Sequence, residues 1–235
     1  MQTLTHPTTL VRTGAVCAVL GAVVQVAAGI GSGILPAGAD VEALLRALAS
    51  QPSWLWPTVQ LGFVLGPLFW LIAFVALTPT LPQGVSGTLA KLAAATISVG
   101  AAVHIVSSSV NGFGLATLAR AWGTASATEQ SNLVLMGNVL LHIMDGTWAS
   151  SITLFHGLPF ALSGLAVVYS RRYPALLGWL GFAGGLGSLV AGPFMFFGVE
   201  GLPVGLSVFS AVGISIYMLV LGFLMWNSSR DEVMS

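Results

Sequence analysis

The chain has 235 residues, 56% of them hydrophobic and only 6% charged, and its seven basic and seven acidic side chains give a formal net charge of zero. A soluble domain of this size does not tolerate so little charge, and a neutral chain offers no attraction to the phosphates of a nucleic acid. With a single cysteine, Cys17, a disulfide framework and a cysteine metal centre within one chain are both excluded.

The expectation is one all-α domain over residues 1–235, a polytopic bundle whose principal partner is the lipid bilayer. Residues 1–9 are a short polar tail. Leu10 to Leu35 is the first apolar stretch, opened by Arg12. Pro36-Ala37-Gly38-Ala39 resembles the small-residue end of a signal peptide, but the apolar run exceeds the hydrophobic core of such a peptide, so a retained span is expected. Asp40 to Ala49 (DVEALLRALA) has the pattern of a short amphipathic helix lying on the surface. Trp54 to Leu77 is the second span, entered through Trp54 and Trp56 at interface level.

Thr78 to Gly87 is a Pro- and Gly-rich turn. Thr88 to about Ala119 is the third span and carries His104, Ser107-Ser108-Ser109 and Asn111; Arg120 to Ser131 is a polar loop. From Glu129 to Arg172 no charged loop divides the chain, and at about 1.5 Å per residue this is more than one crossing of a ~30 Å hydrocarbon layer requires. The fourth span is taken as residues 132–170, and the part before Trp148 is expected to project beyond the bilayer, lie along it or re-enter it. Gly157-Leu158-Pro159 should kink it, because the Pro159 ring removes the hydrogen bond to the Phe155 carbonyl. Pro174 suits the first turn of the next helix. Ala175 to Val199 is the fifth span, Glu200 to Pro203 a turn, and Val204 to Trp226 the sixth, before a polar tail.

Six spans put both ends on one side. With the ends cytoplasmic, Arg12, Lys91, Arg171, Arg172 and Arg230 lie inside and Arg46 and Arg120 outside, the sense that the positive-inside rule requires. A seven-span division near Gly146 would put Arg230 outside and leave almost no loop. Gly181 and Gly185 form a small-xxx-small pair in the fifth span, read as packing inside the bundle in preference to a dimer face.

Polar side chains inside the membrane carry the functional signal, since each is costly there. Counting from the cytoplasmic helix ends, Gln25 lies about 22 Å, His104 about 24 Å and His156 about 21 Å into their spans, one layer near the midplane. Asn111 at about 34 Å and Asp145 at about 37 Å form a second layer, with His142 slightly beyond. At about 100° per residue His104, Ser108 and Asn111 share a stripe, and His142, Asp145 and His156 share another. Antiparallel third and fourth spans would set His104 against His156 and Asn111 near Asp145. The leading expectation is a polar intramembrane pocket between those two spans, binding or conducting a small ligand or protons through His104, His156, His142, Asp145, Asn111 and Gln25. A b-type haem between His104 and His156, serving electron transfer, is the alternative. A metal ion finds too few ligands in either layer. A structural or assembly role without ligand, and association with a second copy or a membrane complex, remain open.

From Gly157 to about Gly192 the sequence GLPFALSGLAVVYSRRYPALLGWLGFAGGLGSLVAG resembles a large family of bacterial six-helix integral membrane proteins. There a Gly-containing span ends in Tyr, followed by a short basic turn, a Pro, Leu-Gly and a Gly-rich helix. Gly164, Tyr169, Arg171, Pro174, Leu177, Gly178 and Gly185 carry the match, and Leu141-His142 fits it loosely. The resemblance implies six helices and a multi-pass protein of the bacterial cytoplasmic (inner) membrane, with no established activity.

Overall fold

The computed structural model describes residues 6–35, 38–199 and 201–234, and side chains within 8–35, 38–199 and 201–229. Pro36-Ala37 of the signal-peptide reading, Glu200 of the fifth turn and the side chain of Arg230 lie outside the described residues. Within them all regular structure is helical: α1 (His6–Ser32), α2 (Val41–Ala49), α3 (Leu55–Leu77), α4 (Val85–Val110), α5 (Ala116–Trp122), α6 (Ala127–Ser151), α7 (Leu158–Ser170), α8 (Ala175–Phe196) and α9 (Leu202–Met234). Two π-helical turns, Asn111–Leu115 and Ile152–Gly157, join α4 to α5 and α6 to α7 without a loop.

Six stretches are long and apolar enough to cross a membrane: Thr8–Ser32, Leu55–Thr80, Val85–Trp122, Ala127–Ser170, Ala175–Phe196 and Leu202–Ser229. They close into a ring in which α1 packs on α3, α3 on α4, α4 on α7, α7 on α8, α8 on α9, and α9 back on α1. On the side of the chain ends the interior is solid, filled by Trp70, Phe74, Phe160, Tyr217, Met218 and Leu221. Arg12 Nε donates to Ser229 Oγ at 3.3 Å, so both ends of the chain meet on that side.

Glycine sets the spacing of the second half of the ring. A Cβ at Gly164 would collide with the backbone of α8, and one at Gly185 with the backbone nitrogen of Ala161. Gly181 and Gly184 instead receive Tyr217 and Ile214 of α9. The expected small-residue pair therefore serves two contacts inside the bundle, one on each neighbour.

The third and fourth stretches, 38 and 44 residues, run about 57 and 66 Å at 1.5 Å per residue. They project past the other spans as a hairpin, and the expected polar loop shrinks to residues 123–126, because α5 runs to Trp122 and Ser126 starts α6. Ser126 and Glu129 form a capping box there, with the Glu129 carboxylate accepting from the Ser126 N–H at 2.8 Å. The amphipathic α2 does not lie on the membrane as expected. Asp40 caps it by accepting from the Ala43 N–H at 2.8 Å. Its apolar face (Val41, Leu44, Leu45, Leu48) is buried against Trp56, Leu115, Ala116, Ala119 and Met144. The helix finds a protein partner because the hairpin stands high enough to offer one.

Candidate functional site

The seam between α4 and the fourth stretch is built on Gly100, whose missing side chain admits the backbone of Leu154 and Phe155. Thr147 Oγ1 donates to Ser107 Oγ at 3.0 Å, and His104 Nδ1 lies 3.3 Å from Ser151 Oγ, which fixes the register. His104 is fully buried (0% exposed). Its ring is packed by Phe155 at 4.9 Å, Trp148 at 5.3 Å, His156 at 5.4 Å and Phe63 at 6.0 Å between centroids. The two midplane histidines are thus brought together edge to face.

His156 owes its place to the π turn. The Leu158 N–H donates to the Thr153 carbonyl, five residues back, and Pro159 has no N–H to restore the α pattern. The expected break in the fourth span is this π turn, which starts three residues earlier than Phe155. It holds His156 (8% exposed) against the edge of Trp70 at 6.2 Å, with Phe155 stacked on Trp70 at 5.7 Å.

Beyond His156, away from α4, the ring interior is open. A cavity of about 450 Å³ lies between α1, α3, α6 with its π turn, and the N-terminal half of α9. Around His104 and His156 aromatic rings fill the seam between the third and fourth spans, and the polar space lies on the other side of His156; farther along, the same two spans flank an apolar groove lined by Phe113, Leu118, Leu135, Val139 and Ile143, with none of the expected site residues on its wall. The polar residues on the cavity wall are Gln25, Trp70, Trp148 and His156, with Ser32, Ser207 and Ser215. Gln25 (8% exposed) lies across Gly66 and Trp70 across Gly21, two glycines that leave room for large side chains on the α1–α3 contact. Gln25 Nε2, Trp70 Nε1 and His156 Nδ1 are buried and have no hydrogen-bond partner. His104 Nε2 also lacks one, but His104 does not line the cavity.

The second layer is not assembled. Trp56 Nε1 donates to the Asn111 carbonyl at 3.4 Å, and Asn111 Oδ1 is buried without a partner. His142 and Asp145 are exposed on α6 and do not reach Asn111. Sequence reasoning missed both Trp70 and Trp148, the latter packed on His104 and Phe63. A tryptophan in the middle of an apolar span, as Trp70 is in α3, was the available signal.

No curated protein and no solved structure matches this chain at a significant level. A family model described as Domain of unknown function (DUF4386) matches residues 13–227, which include all six membrane-spanning stretches but for a few residues at either end. By that match over most of its length, the chain belongs to the DUF4386 family.

Proposed function

We propose that this integral membrane protein binds a small molecule in the cavity between α1, α3, the π turn and α9, with the Gln25 amide and the His156 imidazole at its polar end. The observation that carries this reading is that both side chains stand on the wall of one cavity while Gln25 Nε2 and His156 Nδ1 have no hydrogen-bond partner within the protein. A buried polar group without a partner costs about 1–3 kcal/mol, and a ligand group that engages either side chain offsets that cost. The volume lies within the range of small-molecule sites, roughly 300–1,000 Å³. His104 acts here as a positioning residue: with Ser151 it fixes the face of the seam on which His156 rests. Asn111, His142 and Asp145 have no part in it. The family resemblance points to the bacterial cytoplasmic membrane, and the distribution of basic residues to both ends inside.

A haem between His104 and His156 is the weaker reading. Phe155 lies 4.9 Å from one imidazole and 4.6 Å from the other, and the imidazoles are themselves 5.4 Å apart, which leaves no slot for a macrocycle between them. Native mass spectrometry of the protein released from mild detergent tests the binding reading. A small-molecule adduct is expected on the wild type and should be lost in Gln25→Leu and His156→Leu. A sharp visible absorption band on the purified protein would overturn the reading in favour of haem.

A further inference from the structure

The ring is shut on one side of the membrane and parted on the other. Near the chain ends α1 and α9 are locked: Gly222 sits on the backbone of Ala15 and against Val19, and the Arg12 guanidinium lies 5.9 Å from the centre of the Trp226 ring. Towards α2 the two helices follow different neighbours. α1 stays on α3, with Gly62 against Ala28 and Gly31 against Val59, while α9 stays on α8, with Gly184 and Gly187 against Ile214 and Ser210. Gly29 of α1 and Gly205 of α9 have open space where a Cβ would stand.

The gap between them leads into the cavity. Val26 and Ile30 on α1, and Val208 and Val212 on α9, line the cavity and are also exposed at the surface, Ile30 by 76% and Val208 by 60%. The α9 residues on the wall, Ser207 to Ser215, lie about 8–20 Å along the helix from Leu202, a depth spanned by a hydrocarbon layer of about 30 Å. The mouth is therefore rimmed by aliphatic side chains at the level of lipid tails.

The polar end of the cavity selects by charge. No charged side chain lines it, so neither a carboxylate nor an ammonium would find a counter-ion, and burial without one is costly. The wall serines are already engaged: Ser32 donates to the Gly29 carbonyl, Ser207 to Val204 and Ser215 to Ala211. That leaves the Gln25 amide and the Trp148 indole as donors, with His156 able to donate or accept; the Trp70 indole N–H is packed against Gly21.

Resting on the binding reading above, we infer that the ligand is a neutral, membrane-dissolved lipophile with a carbonyl or ether oxygen at one end, and that it enters sideways between α1 and α9. The oxygen accepts from the Gln25 amide, and the chain lies along Val26, Ile30, Val208 and Val212.

The test uses full-length protein in detergent micelles and two probes, the methyl ester of dibromostearic acid and the free acid, read as the saturable part of the quenching of tryptophan fluorescence, Trp70 and Trp148 being the two of the seven tryptophans on the cavity wall. The ester should quench saturably, and the ionised acid should bind about tenfold or more weakly. Gln25→Leu should weaken the ester by about tenfold, the value of one hydrogen bond of ordinary strength. Gly29→Phe and Ala211→Phe place bulk at exposed wall positions on either side of the gap without adding a fluorophore that the probe could quench, and each should block saturable quenching by the ester without lowering the melting temperature. Equal binding of acid and ester would overturn the neutral-head assignment. Unchanged ester binding in both phenylalanine variants would overturn lateral entry and leave the binding reading standing. No saturable quenching, with a native-mass adduct still lost in His156→Leu, would overturn the lipophile class alone. Absence of both signals would overturn the binding reading itself.

Discussion

Gly185 and Gly146 are both helical glycines, yet they answer to different physics. A Cβ on Gly185 would strike the backbone nitrogen of Ala161, which cannot yield, whereas one on Gly146 meets nothing within 4 Å. Gly185→Ala should therefore lower stability by about 1–3 kcal/mol, the usual cost of overpacking. Gly146→Ala should raise it by up to about 1 kcal/mol, by removing backbone entropy from the unfolded chain. Unfolding of both variants in mixed micelles by a denaturing detergent checks the pair. At this scale the sequence was informative where depth decided the matter: counting residues from the helix ends was enough to set His104 against His156 and to put Gln25 in the same layer. It was misleading where angle decided. The stripe joining His142, Asp145 and His156 assumed an unbroken α-helix, and the π turn at Ile152–Gly157 adds about one residue, or roughly 100°, between them. The cavity was illegible for a related reason, since it depends on where α1 and α9 part, and no local pattern records that.

Among the elements, α2 shows how a reading of pattern can be right about shape and wrong about partner. Its apolar face was legible, but a nine-residue amphipathic helix looks the same whether it meets lipid or protein. The hairpin of α5 and α6 decides the question by presenting Leu115, Ala116, Ala119 and Met144. Leu45 is fully buried in that contact. Leu45→Ala should cost about 2–5 kcal/mol of the docking free energy. Faster amide exchange should follow across residues 41–49, with the six spans unaffected; unchanged exchange would mean that lipid holds the helix. The two π turns share a logic. Each sits where a long helix must keep one register against neighbours below and another against neighbours above, so the extra residue falls between two packing regimes.

For the molecule as a whole, the number of spans was legible from composition and length alone, while the ring they form was not, because apolar faces on all sides leave the order of neighbours undetermined. Orientation remains a matter of charge. Ser126, on the hairpin turn, and Gln83, between α3 and α4, are both exposed and lie on opposite sides of the bundle. In intact cells an impermeant thiol reagent should label Ser126→Cys and should label Gln83→Cys only after lysis; the native Cys17 is buried. The reverse pattern would invert the protein in the membrane. The ring closure of α9 on α1 also bears on how the protein is made. α1 is made before the other helices of the ring, and its last neighbour begins about 170 residues later, a delay of roughly 10–35 s at ordinary rates of synthesis. Throughout that interval the seam that will receive Gly222 stands open to lipid or to the insertion machinery, so truncation before α9 should leave a five-span chain that is inserted but marked for degradation.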